Sequence, residues 1–191
     1  MLGKIGQAVD QHQGAVHGFF AEYSEALVAL AERLHATFAS GGKLLVCGNG
    51  GSACDAMHIA GEFCGRFLRE RKGLPAMALS ADSGILTAVG NDYGFDRIFA
   101  RQIEALGKKG DMLIALSTSG SSANILAALE EATQHGLHRI LFTGEKGRSH
   151  AGRVDGLFVV PSTSTARIQE THMLALHLLA DMVETMMAEA G

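Results

Sequence analysis

Apolar residues recur at helical spacing through the first forty positions. Val16, Tyr23 and Leu30 lie seven apart, as do Phe20, Leu27 and Leu34. Together they make a stripe along one side of a helix. Gly41-Gly42 ends it, glycine being a common residue just past a helix C-terminus. Residues 1–40 are therefore expected to form one long helix. Its stripe must be buried, either against its own domain or against another subunit.

Beyond Gly42 the pattern changes. Residues 43–47 (KLLVC), 76–79 (AMAL), 112–116 (MLIAL), 139–142 (RILF) and 157–160 (LFVV) are short, nearly continuous apolar runs. Runs without polar alternation predict strands covered on both faces, as in parallel sheets. Helical patterns over 51–66, 95–106, 121–135 and 166–189 separate most of them, while the link between the fourth and fifth runs is shorter. This alternation predicts an α/β fold: a three-layer αβα sandwich with five parallel strands and right-handed crossovers. No repeat or linker interrupts it, so residues 1–191 are read as a single domain.

Composition narrows the class. The 191 residues are 47 % hydrophobic and 19 % charged, ordinary for a globular protein, but 24 glycines stand against 2 prolines. That excess suits many tight strand–helix turns. The net charge of −4 gives no basic surplus for a general nucleic-acid surface. Cys47, Cys54 and Cys64 are odd in number and form no CxxC, so free, mostly buried thiols in a reducing cytoplasm are expected. No apolar run approaches the roughly 20 residues that span a bilayer, and no signal peptide is apparent.

Ligands of such sheets bind beyond the carboxyl ends of the strands. Two loops there suit an anion. Gly48-Asn49-Gly50-Gly51-Ser52 follows the first apolar run, and Ser117-Thr118-Ser119-Gly120-Ser121-Ser122 follows the third. Hydroxyls and the free amides of a helix N-terminus both donate to phosphate oxygens. Ser and Gly also serve as plain turn and cap residues, but one cap needs one serine, and the second loop carries five hydroxyls in six residues. Neither loop is a Walker A motif or a dinucleotide fingerprint. The sequence thus points to a phosphorylated ligand.

The helix after the first loop sets His58, Glu62 and Arg66 on an i, i+4, i+8 ladder. An imidazole and a carboxylate one turn apart can share a metal or divide acid–base work. They can equally form an exposed ion pair, and spacing alone leaves both open. The last helix carries Gln169, His172 and His177. Gln169 and His177 are about 12 Å apart along the axis, so they could share an ion only if it lay between them. By themselves both histidines read as hydrogen-bonded core residues. His12, His17, His35, His135, His138 and His150 are scattered and read as surface.

CGNGGSACDAMHIAGEFCGRF, AVGNDYGF, GDMLIALSTSGSSANI and TARIQETHMLALH, in this order, resemble the sugar isomerase (SIS) domain family over essentially the whole chain. The closer likeness is to its members that convert sedoheptulose 7-phosphate to D-glycero-D-manno-heptose 7-phosphate, the first step towards the heptose of lipopolysaccharide. The resemblance implies a homotetramer with sites at subunit interfaces and one zinc ion per subunit. It assigns Ser117, Thr118, Ser119 and Ser122 to a phosphate cradle, and Asn49, Gly50, Gly51 and Ser52 to a first substrate loop. Asn91 and Asp92 become sugar contacts, with Arg66, Glu62 and Gln169 also at the substrate. His58, Glu62, Gln169 and His177 become metal ligands, and Glu62 with His177 the acid–base pair, which reverses the core reading of His177. Ala166 and Gly61 stand where some members carry acids. The rival is a non-catalytic SIS protein that binds the replication initiator; its kind lacks the acid–base pair that Glu62 and His177 supply here.

Overall fold

Side chains alternate along a strand, so a strand apolar at every position needs cover on both faces. In the computed structural model, which describes residues 1–189, five strands lie side by side; the central ones meet that condition, while the edge strand at 76–78 does not, its Met77 being exposed. β1 (Leu44–Gly48), β2 (Ala76–Ala78), β3 (Met112–Ser117), β4 (His138–Gly144) and β5 (Gly156–Val160) form one parallel sheet ordered β2-β1-β3-β4-β5. Every residue of β1 and β3 is buried.

Alternate positions build two separate cores. Leu44, Val46, Met112, Ile114, Ile140, Phe142, Phe158 and Val160 pack against α1 (Leu2–Ala39), α2 (Gly51–Cys64) and α6 (Thr165–Glu189). Leu45, Cys47, Leu113, Ala115 and Leu141 face the opposite way, onto α4 (Ala100–Leu106) and α5 (Ala123–Gln134). The three layers are therefore those the apolar runs predict. Aromatic rings weld α1 to the sheet: Phe158 stacks on Phe142 at 4.6 Å and meets Tyr23 at 5.5 Å. The amides of Gly41 and Gly42 return to the carbonyls of Phe38 and Thr37, ending α1 where the glycines foretold.

Three local expectations need correction. A helix α3 (Ser83–Tyr93) precedes a 3₁₀ turn at Phe95–Arg97 and then α4, where the pattern suggested one helix over 95–106. Gly84 and Gly90 make this stretch a poor helix former, although Asp82 caps it by accepting from the Ile85 amide at 2.9 Å. α2 ends at Cys64, so Arg66 falls outside the helix and the third rung of the ladder is lost. Of the cysteines, only Cys47 is buried, its thiol pushed up to about 12 by desolvation; Cys54 and Cys64 are exposed.

The sheet order changes direction between β1 and β3. A crevice opens at such a switch point because the two crossovers leave on opposite faces. Parallel pairing puts Gly48 beside Leu116, so the loops after β1 and β3 leave the sheet as neighbours. Phe142 stands close behind, fully buried. Phe142→Ala should cost about 3–5 kcal/mol of unfolding free energy, read as a lower urea midpoint at unchanged m-value.

Candidate active site

The first loop is tied to the second by a pair of carboxamides. Asn49 Nδ2 donates to Asn124 Oδ1 at 2.8 Å, and Asn124 Nδ2 donates back to Asn49 Oδ1 at 2.9 Å. Asn124, on the first turn of α5, is only 2 % exposed, so this reciprocal pair replaces the water both amides would otherwise lose. Asn124 was not singled out in the sequence. Its signal is a poor helix former inside an apolar helix face, a position asparagine occupies when its amide has a partner.

Within the second loop the hydroxyls divide their work. Ser117 is buried and its oxygen accepts from the Gly120 amide at 3.1 Å, shaping the turn. Ser119 accepts from both the amide and the hydroxyl of Ser121, at 3.2 and 3.1 Å. Ser122 is the N-cap residue of α5 but makes no side-chain cap bond. Thr118, Ser119 and Ser122 are half-buried at the mouth of the turn. Their hydroxyls join the first-turn amides of α5, which have no partner within the helix.

Gln169 closes the other side of the first loop. Its Nε2 donates to Ser52 Oγ at 3.4 Å, and a Cβ on Gly51 would meet that nitrogen at 2.5 Å. A side chain at 51 would therefore push the Gln169 carboxamide from its present place. The contact also holds Gln169 at the N-terminal end of α2, six residues and about 9 Å of helix rise before His58.

Further along α2, three ligand atoms converge. His58 Nε2 lies 3.0 Å from Glu62 Oε1 and 3.3 Å from His177 Nε2, so α2 and α6 contribute to one triangle. One donor atom from each of the three side chains falls within 4.8 Å of the others. Carboxylate and imidazole lone pairs facing each other so closely require a shared proton or a cation. Burial lowers the His177 pKa, His58 lowers it further, and Glu62 opposes both, so the ring is neutral at physiological pH. Two imidazole nitrogens and a carboxylate oxygen are donors that could hold a metal ion. The structure gathers His58, Glu62 and His177 but directs Gln169 to Ser52, outside this triangle. One turn before His58, Asp55 has a buried Oδ2 without a partner, and burial pushes its pKa up to about 6 against the pull of His58.

The remaining candidates lie apart. Asn91 donates to its neighbour Asp92 at 2.8 Å on α3, a helix with no fully buried residue. Arg66 is exposed and pairs with Glu70 at 3.7 Å. Of the histidines read as surface, only His17 is fully exposed. His12 meets Glu170 at 2.8 Å, and His150 Nε2 meets the carbonyl of Gly120 at 2.7 Å.

A doubly covered parallel sheet with a hydroxyl-rich loop at its switch point is the architecture of the SIS domain, and the SIS domain model matches residues 9–144. A phosphoheptose isomerase of Roseiflexus sp. is 55 % identical over 163 residues, covering 85 % of this chain and 83 % of that protein. One from Thermodesulfovibrio yellowstonii is 47 % identical over 97 % of this chain and 92 % of its own length. The solved phosphoheptose isomerase of Neisseria gonorrhoeae superposes with a TM-score of 0.90 at 39 % identity, covering 96 % of this chain and 98 % of that one. The chain therefore belongs to the SIS domain family, in its phosphoheptose isomerase group.

His172 keeps its core role. It is 0 % exposed, its Nε2 faces the carbonyl of Thr143 at 3.3 Å, and burial lowers its pKa from 6.5 to about 4. Between those values the unfolded chain binds the proton that the folded one refuses. Its contribution is complete above pH 6.5 and is lost as pH falls towards 4, worth about 3 kcal/mol in all. Urea midpoints measured at pH 7 and pH 4.5 should fall on acidification, and by less in His172→Gln.

Proposed function

We propose that this protein isomerises sedoheptulose 7-phosphate to D-glycero-D-manno-heptose 7-phosphate through an enediol. The observation that carries the proposal is the convergence of Glu62, His58 and His177 on a chain whose strand-end loop is built for phosphate. Moving a carbonyl from C2 to C1 requires removal of a C1 proton and its return to C2. Glu62 is the base at C1. His177, neutral and half-buried, exchanges the second proton. Positioned groups of this kind each contribute roughly 10²–10⁴-fold. Thr118, Ser119, Ser122 and the α5 amides hold the phosphate, so binding far from the reacting carbons orients them. Ser117 and the Asn49–Asn124 pair keep both loops in shape, with Gly50, Gly51 and Ser52 at the lip. The sugar contacts assigned to Asn91, Asp92 and Arg66 rest on the resemblance, since all three are exposed and lie apart from the triangle.

The triangle would hold one zinc ion per subunit, with His58, Glu62 and His177 as ligands. Bound zinc would supply a Lewis acid to polarise the carbonyl oxygen. A fourth ligand from Gln169, which the resemblance implies, would require it to leave Ser52. We further propose a cytoplasmic homotetramer formed from one SIS domain per chain and acting at the start of heptose supply for lipopolysaccharide. In support, α1 exposes Leu2, Ile5 and Val9, while Ile85, Tyr93 and Phe95 are exposed in and beside α3. No described helix is long and apolar enough to cross a membrane. The non-catalytic alternative gains no support, since Glu62 and His177 are present and the relatives above are named as isomerases.

Incubation with sedoheptulose 7-phosphate should yield the aldoheptose phosphate, and absence of product with zinc supplied would refute the assignment. Glu62→Gln should lower kcat by about 10²–10⁴-fold while sugar-phosphate binding persists; near-normal turnover would remove Glu62 as the base. Exhaustive chelation should abolish turnover and added zinc restore it. Activity that survives chelation would keep the isomerase and remove the metal.

A further inference from the structure

Glu184 is a carboxylate held out of water, 1 % exposed, on α6. It lies seven residues beyond His177, about two helical turns, on the same side of the helix. A buried charge of this kind is stable only when its oxygens are fully engaged. Its Oε1 accepts from the Phe67 amide at 2.8 Å, and its Oε2 accepts from the amides of Leu68 and Arg69 at 2.9 and 3.0 Å. The Arg71 Nε lies 3.1 Å from Oε1. Burial alone would raise the Glu184 pKa, but the three amides and the guanidinium hold it below the usual carboxylate range.

Arg71 carries the connection to α2. Its Nη2 donates to the carbonyl of Glu62 at 2.8 Å, and its Nη1 reaches the carbonyls of Phe63 at 2.8 Å and Gly65 at 3.1 Å. These belong to the C-terminal end of α2, where no further turn supplies donors and a positive charge is favoured. The segment between the end of α2 and Arg71 presents the ring of Phe67. That ring lies flat on the His177 imidazole, with centroids 5.3 Å apart and planes 11° from parallel. One buried ion pair thus reaches both Glu62, through its own carbonyl, and His177, through a stacked ring.

We infer that Glu184, Arg71 and Phe67 are positioning residues for the isomerase. The ion pair pins residues 65–72, Phe67 fixes the plane of His177, and Arg71 holds the last turn of α2 under Glu62. This rests on the reading of Glu62 and His177 as the acid–base pair. Without the Phe67 ring, His177 could turn about its χ2 bond, and misplacement of a reacting group by about 1 Å can cost on the order of 10²-fold.

The test uses the full chain with sedoheptulose 7-phosphate, comparing wild type, Phe67→Leu and Phe67→Tyr. Phe67→Leu should lose roughly tenfold in kcat with KM within about a factor of two, because alignment and not substrate binding is affected. Phe67→Tyr, which keeps a flat ring, should recover the wild-type kcat. Phe67→Met gives the same reading if the leucine variant does not fold, since it keeps volume without a plane. Wild-type kcat in a folded Leu or Met variant would overturn the inference alone. So would a change confined to KM, or a Tyr variant as impaired as Leu. An inactive wild type with zinc supplied would overturn the proposed function and this inference with it.

Discussion

Parallel pairing of β1 with β3 is the constraint on which the site depends. Because the strands run the same way and Gly48 sits beside Leu116, both loops emerge from the same edge at the same height. The crossovers then leave on opposite faces, α2 towards α1 and α6, α5 towards α4. The Asn49–Asn124 pair spans the gap so formed, joining the start of one helix to the start of the other. A site built on two helix N-termini inherits their amides and dipoles without a single basic side chain in either loop. By this means a chain of net charge −4 could hold a phosphate, as the proposed function requires.

α2 then runs away from the two loops. Its first turn is engaged with Gln169, and its later turns bring His58 and Glu62 against His177 of α6. Polar groups on a helix face would usually be left to solvent, but here a second helix meets them. Desolvation keeps His177 neutral and so able to accept a proton or bind a cation, while Glu62 nearby offers the compensating charge. Asp55, burdened with a buried oxygen on the same helix, belongs to the same polar seam. At the far end of α2, Glu184 accepts from three amides and Arg71 donates to the carbonyls of Glu62 and Phe63, so that end is secured by polar contacts of its own.

Most of the architecture was legible along the chain. Five unalternating apolar runs specify parallel strands, because covering both faces removes nearly all of those side chains from water, Met77 on the edge strand being the exception. Both strand-end loops, GNGGS and STSGSS, could be located from the chain, and the hydroxyl density of the second, beyond what capping requires, is what points to an anion there. α3 was missed because Gly84 and Gly90 dilute its pattern, and the end of α2 was placed two residues late because Arg66 happened to keep the ladder's spacing. Of the six scattered histidines expected at the surface only His17 is exposed, and some of the others meet partners distant in sequence, as His12 does Glu170 and His150 the carbonyl of Gly120.

The sequence by itself determined the strand count, the layers and the position of the two ligand loops, because periodicity and turn chemistry are local properties of the chain. It could not separate His177 from His172, both histidines on one apolar helix. Only the tertiary structure did so: His172 turns inward to a carbonyl of β4, while His177 meets α2 and the ring of Phe67. The same holds for Asn124, for Gln169 against Gly51, and for Glu184 with Arg71. Each acquires its role from a partner more than seventy positions away, and such pairings are set by how helices dock on the sheet, which no local pattern encodes.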